Sequence, residues 1–159
     1  MPLAPGTIAP DFTLKTMTPD GLKDVCLSAN RGVRNTVLLF FPAAYTSVCT
    51  QELCDVSAGL SAYGELDAEV YAISPDTPFA QEAWAKQNGI RIPLLSDYQK
   101  EVAQKYDVLL PDLAGLGPGC ARAVFVIDKE GVVRHSEQTA TPLELPDFEA
   151  VRQALQSLR

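Results

Sequence analysis

Apolar residues form two kinds of run along this chain, and the two kinds predict different secondary structure. The runs at 36–41 and 70–74 are almost continuously apolar, which is typical of strands covered by helices on both faces of a sheet. Between them, from Cys49 to about residue 62, apolar residues recur every three or four positions, at Leu53, Val56, Leu60 and Tyr63. This spacing predicts an amphipathic helix between two buried strands.

Weaker patterns predict the remaining elements. Short segments at 12–15 and 25–27 flank a Thr-Pro-Asp-Gly turn at 18–21, which predicts an N-terminal β-hairpin. Periodicity, proline and glycine further indicate helices at 77–87, 98–106 and 148–158, a strand at 94–96, a loop at 113–119 and a hairpin of 123–128 with 132–135. This order predicts an α/β protein in which helices flank a mixed central sheet. The arrangement matches the thioredoxin-like architecture, although other α/β folds share this order of elements.

Length and composition limit the classes of protein to which the chain can belong. With 159 residues, of which 47% are hydrophobic, we expect one domain, residues 1–159, with a substantial core. A net charge of −7 without a basic cluster disfavours binding to nucleic acid. No apolar run approaches the roughly 18 residues of a membrane span, and residues 1–6 do not resemble a signal sequence. We therefore expect a cytoplasmic protein without a membrane partner.

Cysteine usage indicates redox chemistry. Four cysteines are too few for a secreted disulfide scaffold, and they fit redox or buried roles in a reducing compartment. An apolar strand is predicted to end at Pro42, and a helix is predicted to begin shortly afterwards with Cys49 in its first turn. Free N–H groups and the positive end of the helix dipole favour an anion there. Cys49 is therefore a candidate reactive thiolate.

Separated matches along the chain resemble the peroxiredoxin family. Pro42, Thr46 and Cys49 have the spacing of that family's active-site motif, and Ala-Pro-Asp-Phe at 9–12 matches its usual start. Arg122 opens a predicted strand, where the family keeps its active-site arginine. The resemblance covers essentially the whole chain, and it implies a thiol-dependent peroxidase without metal, haem or flavin.

The resemblance also implies a role for each matched residue. Cys49 would be the peroxidatic nucleophile, which attacks one oxygen of hydrogen peroxide or a small organic hydroperoxide and becomes a sulfenic acid. Arg122 would favour the thiolate and orient the peroxide. Thr46 would hydrogen-bond to the peroxide oxygens, and Pro42 would shield the sulfur from bulk water.

The backbone at the start of the predicted helix and the side chain of Glu52 are expected to support this arrangement. The backbone N–H groups of Val48 and Cys49 are placed to hold the peroxide as charge develops on its leaving oxygen. Glu52 follows about one helical turn later. We expect it to fix Arg122 rather than to touch the substrate, and a solvated helix acid is the alternative.

Cys54 occupies the place of the resolving cysteine in the Q-type subgroup, also called bacterioferritin comigratory proteins. The stretch at 44–49, by contrast, resembles the one-cysteine branch of the family. The subgroup resemblance implies an intramolecular disulfide between Cys49 and Cys54, reduced again by thioredoxin or a similar dithiol. Cys120 is the competing resolving cysteine, because it lies in a glycine-rich loop that we expect to be mobile.

The spacing of Cys49 and Cys54 within one predicted helix has a structural consequence. A five-residue offset in a regular helix separates the Cα atoms by roughly 8 to 9 Å and turns the side chains about 140° apart. A disulfide requires Cα atoms within about 7 Å of each other. Oxidation is therefore expected to unwind the helix near 49–54.

The other candidate residues are expected to be structural. Cys26 is predicted to pack in the core, and His135, the single histidine, to lie on the surface. Four aromatic side chains are predicted to belong to the core rather than to a substrate entrance: Tyr45, Phe79, Trp84 and Tyr98. One histidine and no second pair of cysteine ligands argue against a metal site.

Two rival functions are weighed against the peroxidase. A thiol–disulfide oxidoreductase acting on proteins would need a Cys-x-x-Cys pair, which the chain lacks. A redox-sensing or holdase-type binding protein would use the oxidised, unwound helix as its binding surface. We expect a monomer, with a weak dimer as the alternative.

Overall fold

The computed structural model describes residues 1–159, the whole chain. Its strands are β1 (Thr13–Thr18), β2 (Gly21–Cys26), β3 (Asn35–Phe40), β4 (Ala68–Ser74), β5 (Leu94–Ser96), β6 (Leu109–Leu110), β7 (Gly119–Cys120), β8 (Ala123–Ile127) and β9 (Val133–Gln138). Its helices are α1 (Ser47–Ala58), α2 (Leu60–Glu65), α3 (Pro78–Asn88), α4 (Glu101–Lys105) and α5 (Phe148–Gln156).

Seven of the strands form one mixed sheet in the order β2-β1-β5-β4-β3-β8-β9. The three strands β3, β4 and β5 are parallel, and the pairs β1–β2 and β8–β9 extend the sheet with antiparallel strands at its two edges. The predicted α/β architecture with a mixed central sheet and an N-terminal hairpin is therefore confirmed.

The central strand β3 separates two hydrophobic cores. Val37 and Leu39 belong to the core that α1, α3 and α5 cover. Leu38 and Phe40 belong to the core on the other face, which includes Tyr106. All six residues of β3 are buried. Because alternate side chains enter different cores, the strand has no solvent-exposed face, and its sequence from Val37 to Phe40 is continuously apolar.

Two predicted helices differ in extent from the observed ones. The helix predicted from Cys49 begins two residues earlier and is interrupted at Gly59, which ends α1 and precedes α2. Glycine is a weak helix former because ordering its backbone costs the most entropy. The helix predicted at 98–106 is shortened to α4, because Lys100 adopts a left-handed φ of 62° before its first turn.

Helix α3 begins and ends as its sequence predicts. The Thr77 hydroxyl accepts a hydrogen bond from the N–H of Ala80 at 3.2 Å, and Pro78 occupies the first helical position. Gly89 ends the helix with a left-handed φ of 66°. None of the helices combines the length and the apolar character that crossing a membrane requires.

Truncation of a core side chain on β3 should destabilise the whole domain. Leu39 is fully buried, so Leu39→Ala should lower the free energy of unfolding by about 2–5 kcal/mol, the usual cost of removing a buried leucine side chain. Urea unfolding followed by circular dichroism measures this change. The matched control is Leu116→Ala, because Leu116 is 85% exposed and its truncation should cost less than about 0.5 kcal/mol. Equal effects of the two substitutions would contradict the assignment of β3 to the core.

Candidate active site

Cys49 lies in the first turn of α1, just beyond the end of the central strand β3. Thr46 precedes the helix with an extended backbone, and its hydroxyl donates to the carbonyl of Ala43 at 2.8 Å instead of capping the helix. The first N–H groups of an α-helix have no partner within the helix. Those of Val48 and Cys49 are therefore available to a ligand beside the sulfur.

A buried guanidinium connects three partners at this site. Arg122 Nη1 donates to Glu52 Oε1 at 2.7 Å, and Nη2 donates to Cys49 Sγ at 3.0 Å. Nε donates to the carbonyl oxygen of Pro142 at 3.0 Å. The side chains of Arg122 and Glu52 are 2% and 0% exposed, and Cys49 is 1% exposed. The sulfur therefore faces a fixed positive charge from which bulk water is excluded.

The sheet brings Arg122 to Cys49 although 73 residues separate them in sequence. Strand β8 pairs antiparallel with β3, with Ala123 opposite Phe40. The residue before β8 therefore lies beside the end of β3, from which the chain leads to Cys49. The N–H of Thr139 donates to the Arg122 carbonyl at 3.0 Å, which fixes the backbone of this residue.

Glu52 is an acid in an unusual environment. Burial raises the pKa of Glu52 from 4.5 to about 7, and the adjacent Arg122 guanidinium opposes that rise only in part. Its second oxygen, Oε2, is buried without a hydrogen-bond partner. Glu52 bonds to Nη1 of Arg122, while the neighbouring nitrogen Nη2 bonds to the Cys49 sulfur.

An acidic residue that the sequence analysis missed holds the loop before α1. Asp76 Oδ2 accepts hydrogen bonds from the N–H of Ala44 and from the hydroxyl of Ser74, both at 2.7 Å. Asp76 follows the buried strand β4 by two residues. An acid beyond the carboxyl end of a parallel strand is a signal that could have identified it, because the sites of α/β sheets lie at that edge.

A second missed contact joins α1 to α3. Trp84 Nε1 donates to the hydroxyl of Thr50 at 3.0 Å, and that hydroxyl donates to the carbonyl of Thr46 at 2.7 Å. Trp84 is fully buried and packs against Phe41, with ring centroids 5.4 Å apart. No local sequence pattern indicates this contact, because 34 residues separate Trp84 from Thr50.

The four cysteines are free thiols in different environments. Cys54 lies partly buried in α1, with its Sγ donating to the carbonyl of Asn88 at 3.5 Å. Cys49 and Cys54 both belong to the continuous helix α1. A regular helix holds their Cα atoms roughly 8 to 9 Å apart, which is too far for a disulfide.

The expectation that Cys120 lies in a mobile loop is wrong. Cys120 is 1% exposed in β7, which pairs with β6, and its thiol donates to the carbonyl of Ala121 at 3.2 Å. Burial raises the pKa of Cys120 well above its ordinary range. The physical reason for this burial is the pairing of β7 with β6. Strands of two residues are too short to give a recognisable sequence pattern, so this pairing could not be predicted.

Several other expectations are also corrected. Cys26 does not pack in the core, because it is partly exposed and its Sγ lies 3.1 Å from the Ser28 hydroxyl. His135 is partly buried, and its Nε2 is enclosed without a partner. Among the four aromatic residues, only Trp84 belongs to the core, while three side chains are more than half exposed: Tyr45, Phe79 and Tyr98.

The structure gathers no group of three or more His, Cys, Asp or Glu side chains that could hold a metal ion. What the arrangement can do is stabilise a thiolate. A guanidinium and the start of a helix both favour negative charge on sulfur. The same donors can also stabilise an oxygen anion that forms next to the sulfur.

Comparison with known proteins assigns a family to this arrangement. A model of the AhpC/TSA family matches residues 5–136. The chain is 36% identical over 155 residues to alkyl hydroperoxide reductase E of Mycobacterium tuberculosis, with 96% of each protein covered. It is 39% identical over 138 residues to a protein of Synechocystis described as a peroxiredoxin, with 82% of this chain and 66% of that protein covered.

A solved structure agrees with this assignment. The structure of peroxidoxin BcpB from M. tuberculosis superimposes with a TM-score of 0.83 at 28% identity, covering 98% of this chain and 97% of that one. The predicted thioredoxin-like fold is thereby confirmed. Because the family model covers most of the chain and a relative aligns along nearly its full length, the chain belongs to the AhpC/TSA family of peroxiredoxins and is a thiol-dependent peroxidase.

Proposed function

We propose that Cys49 is the peroxidatic cysteine of this enzyme and that Arg122 activates it. The observation that carries this assignment is the buried hydrogen bond of 3.0 Å from Arg122 Nη2 to Cys49 Sγ. A thiolate is the nucleophilic form of cysteine, and an adjacent cation favours it. Neither Cys26 nor Cys54 has such a partner among its hydrogen bonds.

The proposed first step is a two-electron oxidation of sulfur. The Cys49 thiolate attacks the terminal oxygen of the hydroperoxide, so that an S–O bond forms while the O–O bond breaks. The second oxygen leaves with the electron pair of that bond, takes up a proton and departs as water or an alcohol. The sulfur becomes a sulfenic acid.

The donors around the sulfur are proposed to stabilise the leaving oxygen. These donors are the N–H groups of Val48 and Cys49 at the start of α1 and the guanidinium of Arg122, which approaches from the sheet. The Thr46 hydroxyl donates its hydrogen bond to the Ala43 carbonyl, so its oxygen is left to accept a hydrogen bond from the peroxide. Donors fixed in advance stabilise developing charge without having to reorganise. We assign Pro42 to shielding the thiolate from bulk water, in support of which Pro42 is buried between β3 and α1.

We propose Cys54 as the resolving cysteine. Its thiolate attacks the sulfenic sulfur of Cys49, so that an S–S bond forms, the S–O bond breaks and the oxygen leaves as water after taking up a proton. Burial encloses Cys120 and raises its pKa, which argues against it as the partner, because exchange requires an accessible thiolate. The step requires α1 to unwind between Cys49 and Cys54, for the geometric reason given above.

Reduction of the disulfide is assigned to thioredoxin or a similar external dithiol, which completes an atypical two-cysteine cycle. Hydrogen peroxide and small organic hydroperoxides are the proposed substrates. The name of the mycobacterial relative, alkyl hydroperoxide reductase E, supports the organic class. We propose that the enzyme acts as a monomer in the cytoplasm, where reducing conditions keep its four cysteines as free thiols.

Serine substitutions should separate the roles of the cysteines. Cys49→Ser should abolish peroxide turnover. Cys54→Ser should retain the reaction of Cys49 with peroxide but lose turnover with a dithiol, because the sulfenic acid has no partner. Cys120→Ser is the matched control and should behave as the wild type. Stopped-flow kinetics, with intact mass and peptide mapping after one equivalent of peroxide, measure these outcomes. A mapped Cys49–Cys120 bridge would contradict the assignment of Cys54.

Replacement of Arg122 by lysine should slow the first step by about 10²–10³-fold, the usual effect of removing one donor that stabilises an oxyanion. Lysine keeps the charge but loses the planar fork that binds Glu52, Cys49 and Pro142 together. The second-order rate constant for peroxide measures this change. Arg134→Lys is the control, because Arg134 lies exposed on β9, and its substitution should leave the rate unchanged. If Arg122→Lys reacted at the wild-type rate, Arg122 would contribute only its positive charge and not its hydrogen-bond geometry.

The raised pKa of Glu52 predicts a dependence of stability on pH. Between pH 4.5 and about 7 the folded protein keeps a proton on Glu52 that the unfolded chain has released. This contribution is therefore fully present below pH 4.5 and is lost as the pH rises through 7. The free energy of unfolding of the wild type, measured in urea relative to Glu52→Gln, should fall across that window.

The control for this measurement is Glu149→Gln. Glu149 lies on α5 with a side chain that is 64% exposed, so its substitution should leave the shape of the wild-type pH curve unchanged. A wild-type stability that rises relative to Glu52→Gln between pH 4.5 and 7 would show that the ion pair with Arg122 outweighs burial.

A further inference from the structure

Side chains on α3 hold the part of α1 that contains the two reactive cysteines. The Trp84 indole N–H donates to Thr50, and Thr50 in turn donates to the carbonyl of Thr46. The backbone N–H of Thr50 bonds to the same carbonyl at 3.0 Å. Thr50 therefore closes the first turn of α1 twice, and Trp84 fixes its hydroxyl from the neighbouring helix.

The end of α3 holds the other cysteine. Cys54 Sγ donates to the carbonyl of Asn88, and the Asn88 side-chain amide donates to the carbonyl of Trp84 at 2.9 Å. The segment between Cys49 and Cys54 is thus attached to α3 near both of its ends. None of these contacts involves Arg122 or the Cys49 sulfur, so they take no direct part in the reaction with peroxide.

We propose that Trp84 and Thr50 form a latch that holds the first turns of α1 closed and thereby sets how fast Cys49 reaches Cys54. The inference rests on the proposed Cys49–Cys54 disulfide and adds to it the step that controls its formation. Trp84 and Thr50 act as positioning residues, because they touch neither the peroxide nor the reacting sulfur.

The physical reason is that the disulfide and the latch are mutually exclusive. Bringing the Cα atoms of Cys49 and Cys54 within about 7 Å requires the helix between them to open. Thr50 lies inside that segment, so opening breaks its bonds to Thr46 and to Trp84. Each neutral hydrogen bond that must break disfavours the open state by roughly two- to tenfold.

The latch also determines which oxidation product accumulates. While α1 stays closed, the Cys49 sulfenic acid cannot meet Cys54 and remains beside the peroxide site. A second hydroperoxide can then add another oxygen to the sulfur as its own O–O bond breaks, which gives a sulfinic acid and a further water or alcohol. A tighter latch therefore lowers the peroxide concentration at which the enzyme is inactivated.

Trp84 is the single tryptophan of the chain, so its fluorescence reports on the latch directly. One equivalent of hydrogen peroxide should shift the emission of the wild type to longer wavelength, because the fully buried indole loses Thr50 and gains water. Cys54→Ser should show no such shift, because its sulfenic acid leaves α1 closed. Peptide mapping of the same samples identifies the oxidised cysteines.

Two substitutions remove the latch without changing a reacting group. Thr50→Val keeps the branched shape but lacks the hydroxyl, and it should close the disulfide about fivefold faster than the wild type. Trp84→Phe keeps an aromatic ring but lacks the N–H, and it should have the same effect. Both should require more peroxide for sulfinic acid formation. Thr50→Ser restores the hydroxyl and should return both values towards those of the wild type.

The outcomes distinguish the latch from the function on which it rests. A Cys49–Cys54 bridge that forms at the wild-type rate in Thr50→Val, or that forms without a change in Trp84 emission, overturns the latch and leaves the peroxidase intact. Absence of that bridge in the wild type rejects the proposed resolving cysteine and the latch with it. If Trp84→Phe fails to fold, the pair Thr50→Val and Thr50→Ser still decides the result.

Discussion

The buried guanidinium of Arg122 is the constraint on which the site depends. It is almost completely enclosed, and it donates to a carboxylate, a sulfur and a backbone carbonyl at 2.7 to 3.0 Å. A buried charge is tolerated only when its donors are paired. The pairing of β8 with β3, the position of Glu52 on α1 and the carbonyl of Pro142 all supply those partners. The buried charge therefore has its partners only when the β8–β3 pairing and α1 are both in place.

Helix α1 serves two requirements that oppose each other. It must be folded to offer free N–H groups next to the sulfur, and the proposed disulfide between Cys49 and Cys54 requires it to open. Its start is correspondingly weak, because Thr46 makes no side-chain cap and the first turn carries no acid. Either feature would stabilise the turn, but a capping oxygen or a carboxylate would occupy the N–H groups that a peroxide needs. Contacts from α3 supply the missing stability from outside the helix, where they do not compete with the substrate.

Sequence periodicity predicted the sheet and most helices because both faces of β3 and one face of each long helix are apolar. The resemblance to the peroxiredoxin motif predicted Cys49, Thr46 and Arg122 as site residues, and the structure brings the Arg122 guanidinium to the Cys49 sulfur. The residues that sequence reasoning missed form hydrogen bonds to partners far away in sequence: Trp84 bonds to Thr50, and Asp76 bonds to Ala44. No local sequence pattern indicates such contacts. Cys120 was misplaced for a related reason, because a two-residue pairing decides its burial.

The buried Glu52 carboxyl, whose Oε2 has no hydrogen-bond partner, shares the Arg122 guanidinium with a second acidic group, the Cys49 thiol. An ionised Glu52 and an ionised Cys49 together would leave this buried cluster with one excess negative charge. Burial raises the pKa of Glu52 to about 7, so near neutrality a large share of the molecules carries a neutral Glu52. In those molecules no carboxylate competes with the sulfur for the positive charge of Arg122. A neutral Glu52 therefore leaves the guanidinium charge facing the Cys49 sulfur and any oxygen anion that forms beside it.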